Sequence, residues 1–303
     1  MNHIPVFLPA DNNYAYYLAV VMKSILSNTK GEVDFYVLDG GITNENKKKI
    51  LSVNAGCNIE FLSVDIEKCF KNFHTGLHLN KAIYMRFLAP FLKPNLDKIL
   101  YIDTDTIILQ DIEALYKTDL QDFPLGAIWE EYGENRYNQE YKKRLNLSRD
   151  HKYFNAGVLL INADRWRKMD IFNQVCNIER EKSDVLTMLD QDILNIIFDN
   201  NYKTLAREFN WINQNYDFFG QPKEPIVIRH FNGTVKPWQI HPDIKKNAKL
   251  AFTIDKDEFW KYAQMTSFYD ELLSNVKYKT SQDMQKFLVH SLLKGRLNYG
   301  EVK

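Results

Sequence analysis

The stretch that decides the fold is Lys98-Ile99-Leu100-Tyr101-Ile102-Asp103-Thr104-Asp105. Ile99 to Ile102 form a short apolar run bounded by polar residues, which reads as a strand buried on both faces. The run ends abruptly in two carboxylates. Side chains alternate along a strand, so Asp103 and Asp105 can point the same way. Like charges so placed repel unless a cation lies between them, and a divalent ion that favours oxygen ligands would relieve the repulsion. Open α/β sheets also bind their ligands beyond the C-terminal ends of parallel strands. The stretch therefore predicts a metal and diphosphate anchor. An Asp-x-Asp triplet is frequent by chance, and the chain has two more, Asp190-Gln191-Asp192 and Asp255-Lys256-Asp257. Each of these precedes a helical apolar pattern, where acids cap helices and complement the dipole. Only Asp103 and Asp105 follow a buried strand.

Outward from this strand the chain alternates. Ile4 to Leu8 reads as a first strand stopped by Pro9, and Ala10 to Tyr14 is rich in turn residues. A helix follows, with Tyr14, Leu18, Val21, Met22 and Ile25 on one face. Val33 to Leu38 is a second strand, broken at Asp39-Gly40-Gly41. Thr43 or Asn44 caps a helix through Ile50 and Val53, and Asn58 to Leu62 is a third strand. This β-α-β-α-β order predicts a parallel, doubly wound sheet. Phe70 to Asn80 lacks a period and reads as a loop. Ala82 to Phe91 reads as a helix with Arg86 off its apolar side. Leu125 to Trp129, Val158 to Ile161 and Ile226 to Ile228 read as further strands, and Glu130 to Asp150 as a charged surface or lid segment. Ala163 to Lys182 is helical with a break near Asp170, and Asp190 opens another helix. Beyond Pro242 the character changes to helices rich in lysine and aromatics. Ser281 to Lys294 is amphipathic with basic flanks, which fits either packing on the main domain or peripheral contact with an anionic membrane.

Composition narrows the function classes. Lys plus Arg and Asp plus Glu number 39 each, so no global field draws in nucleic acid. No apolar run spans a bilayer, and the N-terminus lacks a signal-peptide pattern. Cys57, Cys69 and Cys176 have no metal-site spacing. These features predict a cytoplasmic protein, with the membrane contact above as its only peripheral association.

Several polar stops fall at strand ends: Asp11-Asn12-Asn13, Asp39, Asp103 with Asp105, and His230. They can converge on one crevice. His230, followed by Gly233 and Lys236, supplies an imidazole, a close backbone approach and an ammonium for a phosphate. Taken singly, His230 reads as a satisfied, partly buried histidine and Lys236 as a surface lysine. Together with the acidic strand end they suggest a cation bridging carboxylates, imidazole and a diphosphate.

The order of motifs along residues 3–240 resembles glycosyltransferase family 8, which includes glycogenin and bacterial lipopolysaccharide and lipooligosaccharide glycosyltransferases. The resemblance rests on Ala10-Asp11-Asn12-Asn13-Tyr14-Ala15, Val37-Leu38-Asp39-Gly40-Gly41-Ile42, Tyr84-Met85-Arg86 and the 98–105 stretch. It continues through Tyr153-Phe154-Asn155-Ala156-Gly157 with the strand after it, Asp190-Gln191-Asp192-Ile193-Leu194-Asn195 and His230 to Trp238. The resemblance implies an α/β fold of GT-A type, a Rossmann-like nucleotide-sugar-binding sheet with helices on both faces. Residues 1–242 would form the catalytic domain and 243–303 a small helical C-terminal appendage. It implies a retaining hexosyltransferase using UDP-galactose or UDP-glucose, a saccharide or glycolipid acceptor and Mn²⁺, with Mg²⁺ as the alternative. By the same resemblance Asp103, Asp105 and His230 hold the metal. Pro9, Asp11, Asn13 and Tyr14 hold the uridine, and Gly233 and Lys236 the diphosphate. Arg86, Asn155, Asp190 and Gln191 surround the donor sugar, Asp190 and Gln191 being the catalytic candidates. His78 and Glu130 face the acceptor. The rivals are a sugar-nucleotidyltransferase, a UDP-sugar hydrolase and a non-catalytic sugar-binding protein. The nucleotidyltransferase's Gly-rich basic loop after the first strand is absent.

Overall fold

A computed structural model describes residues 3–54, 56–75, 81–131, 140–232, 236–239 and 256–275. In chain order the strands are β1 (Ile4–Ala10), β2 (Val33–Asp39), β3 (Asn58–Ser63), β4 (Lys98–Ile102), β5 (Thr106–Ile108), β6 (Leu125–Trp129), β7 (Phe154–Asn162), β8 (Lys203–Thr204) and β9 (Ile228–His230). Seven of them form one sheet in the order β3-β2-β1-β4-β7-β6-β8, and β5 with β9 forms a small antiparallel ladder. The β1, β2, β3 and β4 pairings are parallel, as the alternation predicts. The second half is mixed, because β7 runs antiparallel to both β4 and β6. Two adjacent, strongly apolar runs read alike in sequence whichever way they point, so periodicity could not reveal this reversal.

The strands are buried on both faces. Val6, Leu8, Leu100 and Ile102 join one apolar cluster, while Phe7, Ile99 and Tyr101 join the other across the sheet. Each such buried side chain contributes about 1.5–3 kcal/mol, so the sheet is the main source of stability. The helix Ala15–Asn28 covers the first face with Leu18, Val21, Met22 and Ile25. Thr43 caps the helix Asn44–Leu51, accepting from the Asn46 amide.

Three local readings change. β1 continues through Pro9 to Ala10, in register with Leu38 and Asp39. Pairing between β1 and β4 covers only Val6 and Phe7, so Pro9 meets no partner on that side for its missing N–H. Lys81–Leu88 is a 3₁₀ helix followed by one α-turn, Ala89–Leu92, rather than one amphipathic α-helix, and Pro90 stands at the start of that turn. His230 is the last residue of β9, not a residue beyond it.

The helices Lys256–Ala263 and Tyr269–Asn275 and the turn between them place Phe259, Tyr262, Phe268 and Leu272 in the cluster that holds the Ala15–Asn28 helix. The Asn28 amide donates to the Tyr262 hydroxyl at 2.7 Å, and Lys49 pairs with Glu271. The amphipathic stretch Ser281 to Lys294 lies outside the described residues. Among the described residues no helix is long and apolar enough to cross a membrane.

Candidate active site

The strand order reverses between β1 and β4, and the crevice beyond their C-terminal ends gathers the polar residues. After β1 the chain must turn sharply into a helix. Asp11 makes the turn: its Oδ1 accepts from the backbone amides of Asn13 (2.9 Å) and Tyr14 (3.0 Å). This leaves Tyr14 at the helix entry, 38% exposed and edge-on to Tyr17. Burial, then the charges of Asp105, Asp11 and Asp103, push the Tyr14 hydroxyl up to about 12. Asp39 does not join the crevice. It is buried, its Oδ1 accepts from Gly41 and Ile42, and its other oxygen pairs with Lys47.

β5 and β9 deliver the ligand set. In their register Thr106 pairs with His230, and the Phe231 amide donates to the Asp105 carbonyl at 2.8 Å. Carboxylate oxygens of Asp103 and Asp105 and a ring nitrogen of His230 all lie within 4.8 Å of one another. Nε2 of His230 is 3.1 Å from Asp105 Oδ1, and Nζ of Lys236 is 2.6 Å from Asp105 Oδ2. Burial pushes the Asp105 carboxyl up, but the Lys236 ammonium, together with His230 when its ring is protonated, outweighs it and holds it well below the usual range. Gly157 on β7 makes the approach possible. A Cβ there would stand 2.8 Å from His230 Nδ1 and 3.0 Å from Asp103 Oδ2. Two oxygens and an imidazole around one point fit a divalent first-row ion.

A second cluster adjoins the first. Arg86 is buried, not a helix-surface charge. Its Nη2 reaches Asp103 at 3.0 Å, its Nε reaches Asp190 at 2.8 Å, and Nη1 donates to the Ala156 carbonyl. The guanidinium also lies over the Tyr101 ring, whose hydroxyl donates to Asp103 at 2.8 Å. Burial works against the Arg86 charge, but Asp103 and Asp190 raise its pKa and keep it protonated. Arg86 divides its charge between two carboxylates, and burial pushes Asp190 up to about 7. Gln191 Oε1 accepts from the Ala156 amide (3.0 Å) and Asn155 Nδ2 (3.1 Å). Asn155 Nδ2 also donates to Glu130 at 2.7 Å, so Glu130 touches the Asn155–Gln191 pair. Burial raises the Glu130 carboxyl, partly offset by its bonds to Asn155 and Gln191.

The turn that presents Asp190 and Gln191 is strained. Leu189, at the helix N-cap, has φ 46° and ψ −112°, a backbone state costing about 1–3 kcal/mol for a residue with a side chain. Asp192 holds it. Its fully buried carboxylate accepts from the Thr187 amide (2.7 Å), the Met188 amide (2.9 Å) and the Tyr153 hydroxyl (2.6 Å). Asp192 reaches back from the third helical position and ties down the turn, while Asp190 turns to Arg86.

The structure thus brings together Asp103, Asp105, His230, Lys236, Arg86, Asn155, Asp190, Gln191 and Glu130, with Pro9 at the end of β1 and Asp11, Asn13 and Tyr14 in the loop that follows. Gly233 and His78 lie outside the described residues. Sequence reasoning assigned no role to Tyr101, Gly157 or Asn210. Tyr101 was hidden inside an apolar run, and Asn210 stands alone before the apolar pair Trp211-Ile212 with no motif to mark it.

The sheet, its switch-point crevice and the acidic strand end with a late histidine define an α/β enzyme of the GT-A type. Residues 5–241 match the family model for glycosyl transferase family 8, and the chain belongs to that family. It is 35% identical over 242 residues to a putative glycosyltransferase of Haemophilus influenzae, covering 77% of this chain and 72% of that one. It is 25% identical to the lipopolysaccharide 1,3-galactosyltransferase of Salmonella typhimurium, over 75% and 71% of the two chains. Among solved structures it resembles the galactosyltransferase LgtC in complex with donor and acceptor sugar analogs. That match has a TM-score of 0.79 and 31% identity, and covers 87% of this chain and 96% of the other. The protein is a glycosyltransferase of the hexosyl-transferring kind.

Proposed function

We propose that the protein transfers galactose or glucose from its UDP-sugar to a saccharide or glycolipid acceptor of a surface glycan, with retention of anomeric configuration. One observation carries this reading. The cation-binding set Asp103, Asp105 and His230 touches, through Arg86, a separate polar cluster of Asp190, Gln191 and Asn155 suited to a sugar ring. The complex of LgtC with donor and acceptor sugar analogs and the Salmonella galactosyltransferase support the donor and acceptor classes.

In this reading Mn²⁺, with Mg²⁺ as the alternative, is held by Asp103, Asp105 and His230, and when bound it neutralises charge on the departing diphosphate. Lys236 brings a second positive charge to the same oxygens. Tyr14 stacks on the base above the Asp11 turn, whose geometry presets the ring. Arg86 and Asp190 hold sugar hydroxyls through charge-assisted hydrogen bonds. The bond from the anomeric carbon to UDP breaks, and the acceptor oxygen bonds to that carbon from the same face. The acceptor's proton passes to the departing phosphate oxygen. The positive charge that builds on the sugar is stabilised by the Gln191 amide oxygen, whose orientation is fixed in advance by the Ala156 amide.

The test is a donor screen. Purified protein, Mn²⁺, a panel of nucleotide sugars and a saccharide acceptor are mixed, UDP release is measured, and the product anomer is read by NMR. UDP with an α-glycoside from an α-linked donor is expected. UTP and sugar 1-phosphate formed when pyrophosphate is added would point to nucleotidyl transfer, and free sugar unaffected by acceptor to hydrolysis. Either would overturn the proposal.

A further inference from the structure

We infer that Asn210 is a positioning residue that fixes the tautomer of His230 and so presents a ring lone pair to the cation. This rests on the metal-dependent reading above. Asn210 is buried, at the end of the 3₁₀ turn Arg207–Asn210. Its Oδ1 lies 2.9 Å from His230 Nδ1, and its Nδ2 lies 2.8 Å from Asn155 Oδ1.

The direction of each hydrogen bond follows from a backbone group that cannot be reversed. The Gly157 amide donates to one side-chain atom of Asn155 at 2.9 Å, so that atom is oxygen. The Asn210 atom facing the same oxygen must then be its NH₂ group. The oxygen of Asn210 therefore faces His230, and Nδ1 must carry a proton to meet it. The Ala156 amide fixes the neighbouring chain likewise: it makes the facing Gln191 atom an oxygen, which requires the Asn155 NH₂ opposite it. Two consecutive backbone amides on β7 thus determine the polarity of Asn155, Asn210, Gln191 and His230 without conflict.

The consequence falls on Nε2. With the proton on Nδ1, neutral His230 directs the Nε2 lone pair toward Asp105 Oδ1, 3.1 Å away. Two lone pairs face each other, an arrangement that is favourable only with a positive centre between them. A metal-ligating histidine is oriented by the bond its other nitrogen makes, and loss of such a partner costs about 10–100-fold in metal affinity.

The experiment uses the full chain with ¹⁵N-labelled histidine, metal-free and at a pH where imidazole is neutral, His230 being assigned with a His230→Gln variant. Long-range ¹H–¹⁵N correlations are expected to show the Nδ1–H tautomer for His230. Asn210→Leu is expected to yield mixed tautomers and to weaken Mn²⁺ binding, read by electron paramagnetic resonance with UDP present, by about 10–100-fold. It should leave metal-free UDP affinity unchanged. Asn210→Asp keeps an acceptor for Nδ1 and should keep the tautomer while losing the donor to Asn155, and Asn210→Ala, which removes the acceptor without adding bulk, decides the matter if the leucine variant does not fold. An Nε2–H tautomer in the wild type, or unchanged Mn²⁺ affinity in folded Asn210→Leu, overturns the inference. If His230→Gln itself leaves Mn²⁺ affinity unchanged, the metal reading fails instead.

Discussion

Gly157→Ala adds one methyl group to the most crowded point of the site. The methyl carbon would stand 2.8 Å from His230 Nδ1 and 3.0 Å from Asp103 Oδ2, with the His230 Cε1 atom also in its path. Ordinary contact begins near 3.4 Å, and with Cε1 the nearest atom the imidazole must retreat by about 1 Å. It has little room to do so. His230 is 3% exposed, held on one side by Asn210 and in the backbone by the pairing of β5 with β9. Gly157 lies inside β7 and is not in the left-handed region, so the substitution strains the ligand set rather than the backbone. Overpacking of this kind costs about 1–3 kcal/mol of stability. The larger effect is on function, because misplacing a reacting group by 1 Å from a remote cause costs about 100-fold in rate. The expected result is a kcat/KM lower by about two orders of magnitude, or about 2.7 kcal/mol. Weaker Mn²⁺ binding and a thermal midpoint lower by several degrees should accompany it. Steady-state UDP release against a Mn²⁺ titration reads both effects. A folded Gly157→Ala protein with wild-type kcat/KM and wild-type Mn²⁺ dependence would refute the idea that this glycine makes space for the metal ligands.

Three further outcomes follow from the same geometry. Asp103→Asn should nearly abolish turnover and remove the gain in UDP affinity that Mn²⁺ confers; calorimetry showing equal UDP affinity with and without metal in the wild type would contradict it. Burial raises the Asp190 carboxyl to about 7, so it gains its charge only as pH rises through neutrality. The kcat/KM profile should therefore climb through about pH 7 and lose that limb in Asp190→Asn, while the contribution of Asp190 to stability falls with rising pH between the ordinary carboxylate range and 7. Gln191→Ala removes an oriented amide but no ion, so turnover should fall by about 100-fold, the scale for one preorganised dipole at a transition state, without vanishing.

The alternating first half was legible because burial on both faces of a parallel strand leaves a continuous apolar run, and Gly or Asp residues punctuate it. The acidic strand end was legible for the same reason: Asp103 and Asp105 break such a run. The reversal of β7 was not, since direction leaves no mark on an apolar run. Arg86 was read as a group on the non-apolar side of a helix, but it sits in a 3₁₀ segment whose tighter pitch turns it inward between Asp103 and Asp190. Asp192 read as a helix cap, and it does tie down the turn, yet its bond to Tyr153 depends on β7 lying alongside, a tertiary fact. Asn210 carried no sequence signal. Its role exists only because β9 returns His230 to its side. What the sequence displayed were charges at the ends of apolar runs; what it hid were the neutral amides that orient them.

Retention, as proposed above, can be reached with or without a group that attacks the sugar first, and the geometry bears on that choice. Double displacement needs an ionised carboxylate free to approach the anomeric carbon. Asp190 is the candidate by position, but Arg86 Nε holds its Oδ2 at 2.8 Å, and burial keeps much of it protonated near neutral pH. An attacking carboxylate would have to give up that bond and leave Arg86 facing Asp103 alone. Glu130 is likewise engaged, by Asn155 at 2.7 Å, and its pKa is raised by burial. Gln191 is neutral and a poor nucleophile. Among the described residues the site thus offers no carboxylate both ionised and unengaged, whereas in the proposed reaction the departing diphosphate supplies an oxygen base on the acceptor's own face. Same-face substitution is therefore expected, and mass spectrometry of the enzyme quenched during turnover of a slow, fluorinated donor should show no added hexose. A hexose covalently attached to Asp190 or Glu130, formed and discharged at rates that match turnover, would replace this mechanism with double displacement while leaving the transfer reaction itself in place.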